Sequence, residues 1–342
     1  MSEQTSAVTS WRTVAQLTIA ATLGVSIIVL AFIWTSVTAQ PQNIPVSITG
    51  PAAQVDAASS AIEEGAGGRV VLTSVDSRDD AVALIDARDS LGAIVLGASP
   101  EVLVASAASP QVAQLLTAVA GQLEAGANAQ AAAAAAGVEA PHITVTVTDV
   151  VPLASTDERG QGIAASAFPL VIGGFIGGLI IALMVRGASR RLVAVLAYSA
   201  VLGTALALIL QPWLGILQGS FVVNLLAISL FLASMSAFIV GMHSTLGRPG
   251  LPIAIVTIML IANPISAAAL PWQFLPEPWG LVGQWFQPGA GATLLRDLSY
   301  FPEASSIGFA WAVLGVWALA GLALVAAGLR ERRSLAPAAE AA

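Results

Sequence analysis

Six stretches of this chain contain no charged side chain and are long enough to cross a bilayer, which takes roughly 17–25 residues, so they restrict the chain to a membrane protein. These stretches are Thr13–Thr38, Phe168–Val185, Leu192–Leu210, Phe221–Met242, Leu251–Leu270 and Gly308–Leu329. The chain of 342 residues is only 10% charged, with a mean hydropathy of +0.84, whereas soluble domains carry about 25% charged residues. The pattern predicts an all-α membrane bundle of six transmembrane helices.

Composition also excludes several classes of function. The chain has no cysteine, which rules out disulfides and thiolate metal sites, and no lysine, which rules out a P-loop. The only histidines, His142 and His243, fall on opposite sides of the predicted membrane and cannot form one zinc site. The acidic run Asp76–Asp80 fits a helix N-terminus better than a cation site. We therefore expect no enzymatic activity, no cofactor, no metal and no nucleic-acid partner.

The arginines orient the predicted bundle. Eight of the thirteen lie on the side shared by the two termini: Arg12, Arg186, Arg190, Arg191, Arg248, Arg330, Arg332 and Arg333. Only three of the twenty acids share that side: Glu3, Glu331 and Glu340. Because arginine is enriched in short cytoplasmic loops, we predict a plasma-membrane protein with residues 1–12 and 331–342 in the cytoplasm.

The first charge-free run has two interpretations. Val37-Thr38-Ala39 allows a cleaved signal peptide. A signal core is about 7–15 residues long, however, and this run is longer, which favours an uncleaved transmembrane helix over residues 13–39.

Residues 40–165 have a different character: acidic, rich in alanine, serine and valine, and without a run long enough to span a membrane. Strands are predicted at Ile44–Thr49, Arg69–Ser74, Gly92–Leu96, Val102–Ser106 and Ile143–Val150. Helices are predicted at Ala52–Glu64, after the N-cap Ser77, and from Pro110 after the N-cap Ser109. The alanine-rich tract Gly126–Gly137 either continues this third helix or forms a spacer. The alternation predicts an extracytoplasmic α/β (α+β) domain inserted between the first two transmembrane helices.

Residues 166–330 hold the other five predicted transmembrane helices, interrupted by a broken external segment over residues 271–301. Four prolines there exclude one continuous helix: Pro271, Pro276, Pro278 and Pro288. The segment also holds seven aromatic residues, a class that favours the membrane–water interface. We expect two short helices, Pro278–Phe286 and Gly291–Ser299, that dip into the outer face of the bundle. A loop folded over the membrane surface is the alternative.

The predicted transmembrane runs contain no ionisable side chain, which argues against proton coupling through embedded carboxylates. Asn224 and Asn263 either form interhelical hydrogen bonds or line a substrate path, and we expect a helix kink at Asn263-Pro264. Arg296, in the broken segment, either meets lipid phosphates or pairs with Glu277, Asp297 or Glu303. Small residues let helices approach closely, within one chain or between subunits, and four lie in overlapping spacings: Gly173, Gly174, Gly177 and Gly178.

In this order the features resemble a type-2 ATP-binding-cassette (ABC) permease of the phage-infection-protein-like branch. That branch also has one span, a large external domain and five further spans, which covers nearly the whole chain. It similarly shows Leu-Pro…Trp, then Pro-Gly-Ala, Leu-Arg and Tyr-Phe before the last span. The matching residues are Leu275, Pro276, Trp279, Pro288, Gly289, Ala290, Leu295, Arg296, Tyr300 and Phe301. Gly92–Pro100 and Val150–Gly160 are similar to the external domain of the family.

The resemblance implies a permease half that forms a homodimer or heterodimer in the lipid bilayer. It would move a lipid, drug or envelope component outward with energy from a separate cytoplasmic ATPase. Arg186, Arg190 and Arg191, in the loop after the second span, would contact that ATPase. The N-terminal segment is too short for the amphipathic helix of many members, and Thr49-Gly50 stands where relatives often have an acid. The alternative function is a non-transporting envelope receptor or adaptor that binds partners through residues 40–165.

Overall fold

The computed structural model describes residues 9–66, 68–134 and 142–339. The helices in these ranges are α1 (Trp11–Thr38), α2 (Ala52–Ala66), α3 (Arg78–Asp86), α4 (Pro110–Ala134), α5 (Gly162–Met184), α6 (Ala188–Leu208), α7 (Phe221–Leu246), α8 (Gly250–Ile255), α9 (Trp279–Gly283), α10 (Gln287–Tyr300) and α11 (Ser306–Ala339). The strands are β1 (Ile44–Thr49), β2 (Val70–Ser74), β3 (Gly92–Val95), β4 (Glu101–Val104) and β5 (Thr146–Asp149). The chain is therefore mostly helical, with one small sheet.

Five helices in the described ranges are long and apolar enough to cross a membrane, which indicates a multi-pass membrane protein. They are Trp11–Thr35, Gly162–Met184, Ala188–Trp213, Phe221–Leu246 and Ser306–Gly328. Each contains one of the charge-free runs or most of it, so the prediction of transmembrane helices is confirmed for these five.

The predicted helix Leu251–Leu270 is wrong in its length. The observed apolar helix runs from Gly250 to Ala262, and its last part, Val256–Ala262, has π-helical form. Thirteen residues at 1.5 Å each extend about 20 Å, less than the ~30 Å hydrocarbon core. The Asn263 amide donates to the carbonyl of Ile258 at 2.9 Å, and the following Pro264 has no N–H to continue the ladder. The expected kink at Asn263-Pro264 is instead the end of the helix.

The sheet domain, residues 40–161, carries all five strands in the order β2-β1-β3-β4-β5. Strand β1 is parallel to both β2 and β3, β3 and β4 are antiparallel, and β4 is parallel to β5. All five predicted strands are present, with β1 matching residue for residue. Buried aliphatic side chains such as Ile48, Ile94 and Leu103 form the core between the sheet and its helices.

The predicted helix caps of the sheet domain are also present. The Ser77 hydroxyl accepts a hydrogen bond from the Asp80 amide at 3.1 Å, as the capping-box pattern requires. The Ser109 hydroxyl accepts one from the Val112 amide at 3.2 Å. Helix α4 continues through the alanine-rich tract as far as Ala134, and the rest of that tract lies outside the described residues.

Helix α7 is the centre of the bundle, whereas α1 stands at its margin. In the most apolar 18-residue stretch of α7, about two thirds of the residues are buried, whereas none is buried in the corresponding stretch of α1. Buried serines in α7 bond back along their own helix, for example Ser236 to the Leu232 carbonyl at 2.7 Å. Where α7 crosses α11, Gly241 and Gly321 lie so close that a Cβ atom on Gly241 would come within 2.6 Å of the Gly321 carbonyl oxygen. Small residues therefore allow α7 and α11 to touch along their backbones.

Candidate functional site

The broken segment, residues 271–301, folds back on itself next to the sheet domain. After the break at Pro264, a short 3-10 turn (Trp272–Phe274) leads into α9 and then α10. The first predicted helix is shorter than expected, and the second begins at Gln287 instead of Gly291. Pro288 explains the earlier start, because proline is tolerated in the first turn, where its missing N–H has no intrahelical partner.

Two glycines let the broken segment fold tightly. A Cβ atom at Gly283 would collide with the carbonyl oxygen of Ile265, and one at Gly289 would collide with the carbonyl oxygen of Gly283. Both collisions are with backbone atoms, which cannot move aside as a side-chain end can. The glycines therefore fix the approach of α9 to the end of the preceding apolar helix and to α10.

The apolar anchors of the broken segment are part of the core of the sheet domain. Phe274 and Phe301 are buried in the same cluster as the inner face of the strands, together with Ala304. Tyr300 packs against both this cluster and the core of the bundle. The segment is thus a packed connection between the sheet domain and the helices.

A buried ion pair crosses the same interface. Arg88, between α3 and β3, pairs with Asp297 of α10; their side chains are 12% and 0% exposed. The second oxygen of Asp297 accepts a hydrogen bond from the Ser306 hydroxyl at 2.6 Å, and the Arg88 guanidinium lies 5.4 Å from the centre of the Phe301 ring. We refer to Arg88, Asp297, Phe301 and Ser306 as the joint. The ion pair and the additional hydrogen bond from Ser306 satisfy the buried carboxylate, the condition under which a buried pair is tolerated.

Backbone conformation and neighbouring hydrogen bonds hold the joint in place. Arg88 has a φ of 58°, in the left-handed region that non-glycine residues rarely adopt. The Ser305 amide donates to the Ala87 carbonyl at 3.1 Å, and its hydroxyl donates to Asp89 at 2.8 Å. Burial and then the negative charge of Glu303 raise the pKa of Asp86. Hydrogen bonds and a charge interaction therefore connect residues 86–89 directly to residues 303–306.

A cavity of about 510 Å³ lies beside the joint, between the sheet domain, the broken segment and the start of α11. Its wall includes Arg88, Leu91, Gln284, Thr293 and Phe309. The Thr293 hydroxyl donates to the Gln284 side-chain oxygen at 2.6 Å. A volume in this range, mostly apolar with a few fixed polar groups, is typical of small-molecule sites.

The structure brings several of the predicted broken-segment residues together at this interface. Leu275 and Phe301 are buried, and Pro288 and Gly289 are buried at the start of α10. Trp279 is 42% exposed and meets Trp34 of α1 edge-on, with ring centres 6.5 Å apart. Pro276 is half-buried in the turn that precedes α9.

Arg296 does not pair with the acids that the sequence offered. Asp297 is taken by Arg88, and the Glu277 carboxylate accepts a hydrogen bond from the Asn43 side chain at 2.6 Å. Arg296 donates to the Ala268 carbonyl at 3.3 Å. Among the described residues no carboxylate lies within ion-pair distance of Arg296.

The three arginines after α5 have two different environments. Arg191 donates to the carbonyls of Ala182 and Val185, at 2.9 and 2.8 Å, and to the Ser244 hydroxyl at 2.9 Å. It therefore closes the C-terminal end of α5 onto α7. Arg186 and Arg190 are exposed.

The four glycines of the predicted small-residue spacings in α5 pack against helices of the same chain. Gly173 and Gly177 face α6, where the Tyr198 ring covers Gly177 and the Tyr198 hydroxyl donates to the Gly173 carbonyl at 2.7 Å. Gly174 and Gly178 face Met235 and Ile239 of α7. Asn224 donates to the Gln211 side chain at 2.8 Å and to the Gln218 carbonyl at 2.7 Å, which ties the loop between α6 and α7 to α7.

Sequence reasoning missed Arg88, the partner of Asp297 at the joint. The two residues are 209 positions apart, and the run around Arg88 has no local pattern that distinguishes it from other surface arginines. Within the described residues there is no cluster of His, Cys, Asp or Glu that could hold a metal ion.

Comparison of the chain with protein-family models, with curated proteins and with solved structures gives no match. The geometry of the joint, the broken segment and the two ends of the bundle is therefore the basis for assigning a function.

Proposed function

We propose that the chain is the membrane permease subunit of an ABC-type exporter, which moves a lipid, drug or envelope component outward with energy from a separate cytoplasmic ATPase. The observation that carries this proposal is the broken segment, packed at one end of the bundle between the sheet domain and α11. Irregular backbone at membrane depth is stable only where it is buried in protein or lines a water-filled cavity. The packing of the broken segment against the sheet domain, and the cavity of about 510 Å³ beside it, support such a position.

The distribution of charge supports an external source of energy. Helices α5 and the apolar part of α11, Ser306–Gly328, contain no ionisable side chain. In α1 and α6 the only acidic, basic or histidine side chains are Arg12, Arg190 and Arg191, which lie in the first turn of their helices, and in α7 the only one is His243, in the last turn. A carrier driven by protons or ions usually places such groups deep within its helices.

The contacts support six membrane crossings, which would leave both termini on one side; the arginine distribution favours the cytoplasm for that side. Gly250 lies against the Met242 carbonyl, at the end of α7 where Arg191 binds Ser244. Ser306 lies at the joint, beside the sheet domain. Residues 250–305 thus run from one end of the bundle to the other, and the short apolar helix plus the broken segment would complete the crossing that Gly250–Ala262 is too short to make alone.

The exposed pair Arg186 and Arg190 is the proposed contact for the ATPase, because Arg191 is engaged within the bundle. We propose that two such chains, identical or related, form the permease in the bilayer. The test is to purify the tagged chain from its native membrane in mild detergent and to measure the Mg²⁺-dependent ATP hydrolysis that it retains. We expect the double variant Arg186→Gln/Arg190→Gln to lose most of that activity while keeping its unfolding temperature.

Arg248→Gln is the matched control, because Arg248 is also exposed at this end of the bundle but lies outside the loop between α5 and α6. Retained hydrolysis in the double variant, or none with the native sequence, contradicts the proposal and favours the receptor or adaptor alternative. The orientation has its own test. A cysteine at exposed Ser189 is expected to resist an impermeant maleimide in intact cells, whereas one at exposed Ser155 is expected to react.

A further inference from the structure

Arg159 and Arg296 line a second cavity, of about 520 Å³, where the sheet domain meets the bundle. Arg159 comes just before α5, and Arg296 belongs to α10. The start of α4 at Pro110 and the start of the broken segment at Pro271 complete the wall. Among the described residues that line this cavity, none is Asp or Glu, although the sheet domain as a whole is acidic.

Arg296 has more hydrogen-bonding capacity than its protein neighbours use. A guanidinium carries five N–H donors. Within the described residues this side chain makes one hydrogen bond, to the Ala268 carbonyl, which is long at 3.3 Å. The adjacent acid, Asp297, is turned to the joint and bound to Arg88. A half-buried guanidinium without a carboxylate partner favours an anion in the space beside it.

The end of one long helix reinforces this preference for an anion. Helix α4 begins at Pro110, and the N-terminus of a helix carries partial positive charge. Its cap, the Ser109 hydroxyl, is neutral, whereas the N-terminus of α5 is already occupied by the Asp157 carboxylate. The end of α4 therefore contributes its electric field, and the two arginines contribute the donors.

We propose that this cavity binds a phosphate ester, held by Arg159 and Arg296. Arginine matches the geometry of phosphate oxygens by paired N–H donors. The inference rests on the proposed function and extends it, because it gives the transported compound a phosphate group. The same chemistry has two sources, the head group of an anionic phospholipid and a soluble phosphate.

The lipid arm of the test uses the full chain purified in detergent. The protein is incubated with an equimolar mixture of phosphatidylglycerol and phosphatidylcholine, repurified, and its bound lipids are quantified by mass spectrometry. We expect enrichment of phosphatidylglycerol. Loss of one charge-assisted contact in Arg159→Gln or Arg296→Gln should lower this enrichment by about ten-fold, and Arg159→Lys should restore part of it.

The soluble arm uses the same proteins in nanodiscs made only of phosphatidylcholine. If the source is a soluble phosphate, inorganic phosphate should raise the unfolding temperature relative to chloride at equal ionic strength, because a ligand that binds only the folded state stabilises it. The rise should be absent in Arg159→Gln. Arg159 is exposed, so this variant keeps the test valid even if Arg296→Gln does not fold.

Arg69→Gln is the control in both arms, since Arg69 is an exposed arginine of the sheet domain outside this cavity. Enrichment of phosphatidylglycerol identifies a lipid head group, and stabilisation by inorganic phosphate identifies a soluble ester. Neither response, or an equal loss in Arg69→Gln, overturns the inference. Neither arm uses an ATPase, so the two proposals can fail separately. Anion binding without retained ATP hydrolysis contradicts only the proposed function. Retained ATP hydrolysis without anion binding contradicts only the anion site.

Discussion

An arginine side chain stabilises each end of the bundle, but the two arginines bind different kinds of partner. At the end next to the sheet domain, Arg88 reaches from one part of the fold into another and meets the fully buried carboxylate of Asp297. At the opposite end, Arg191 binds the carbonyls that close α5 and the hydroxyl of Ser244. The Arg88–Asp297 pair buries two opposite charges. Arg191 instead places one charge against neutral carbonyl and hydroxyl groups. We therefore expect a single substitution at the joint to lower the free energy of unfolding far more than one at Arg191.

The largest effect is expected from breaking the joint. Arg88→Met leaves the Asp297 carboxylate buried without its counter-charge, a change that costs about 3–5 kcal/mol in comparable pairs. We expect a large drop in the unfolding temperature of the purified chain and proteolytic cleavage between α10 and α11.

The double variant Arg88→Met/Asp297→Leu removes both charges and should recover most of the lost stability, because an apolar pair of similar volume replaces the ion pair. If the double variant is as unstable as Arg88→Met, the charge pair is not what holds the joint. That result would mean that a buried charge pair does not distinguish the stability of this end of the bundle from that of the other.

A smaller effect is expected at the opposite end. Arg191→Gln shortens the side chain and removes charge-assisted hydrogen bonds to Ala182 and Val185, for which the typical loss is about 1.5–3 kcal/mol. The measurement is the free energy of unfolding, with the exposed neighbour Arg190→Gln as the control that should change nothing. A loss as large as that of Arg88→Met would remove the distinction between the two ends.

The smallest effect is expected from a pair at the surface, exposed Arg78 and half-buried Glu101, whose N–O distance is 2.7 Å. Such pairs contribute about 0.2–1 kcal/mol. The hydrogen bond from Arg78 is the main cause that lowers the pKa of Glu101 below its usual value, and the hydrogen bond from Thr148 contributes further. This stabilisation is therefore complete above the ordinary carboxyl pKa and is lost as the pH falls through the lower pKa of the folded state.

Glu101→Gln should accordingly reduce the stability slightly at neutral pH and flatten the acid limb of the stability curve. Calorimetry of the full chain between neutral pH and about pH 3, below the ordinary carboxyl range, measures both effects. An unchanged acid limb would show that other carboxylates dominate the response.

Local patterns predicted the elements of this fold well, and long-range contacts defined the site. The alternation in Ile44–Thr49 and the caps Ser77 and Ser109 each depend on neighbours within a few residues, so the sequence shows them directly. The apolar run Leu251–Leu270 was misjudged because hydropathy does not register the break at Pro264, where the helix ends after its π-helical turns Val256–Ala262. The partner of Asp297 was not predictable, because only the folding of the broken segment against the sheet domain brings Arg88 to it.

The separation of 209 residues between Arg88 and Asp297 has a consequence for biosynthesis. The ribosome completes the sheet domain long before it makes α10, so a newly made sheet domain carries Arg88 in contact with water until the penultimate part of the chain emerges. Closure of the joint is thus one of the last steps of maturation.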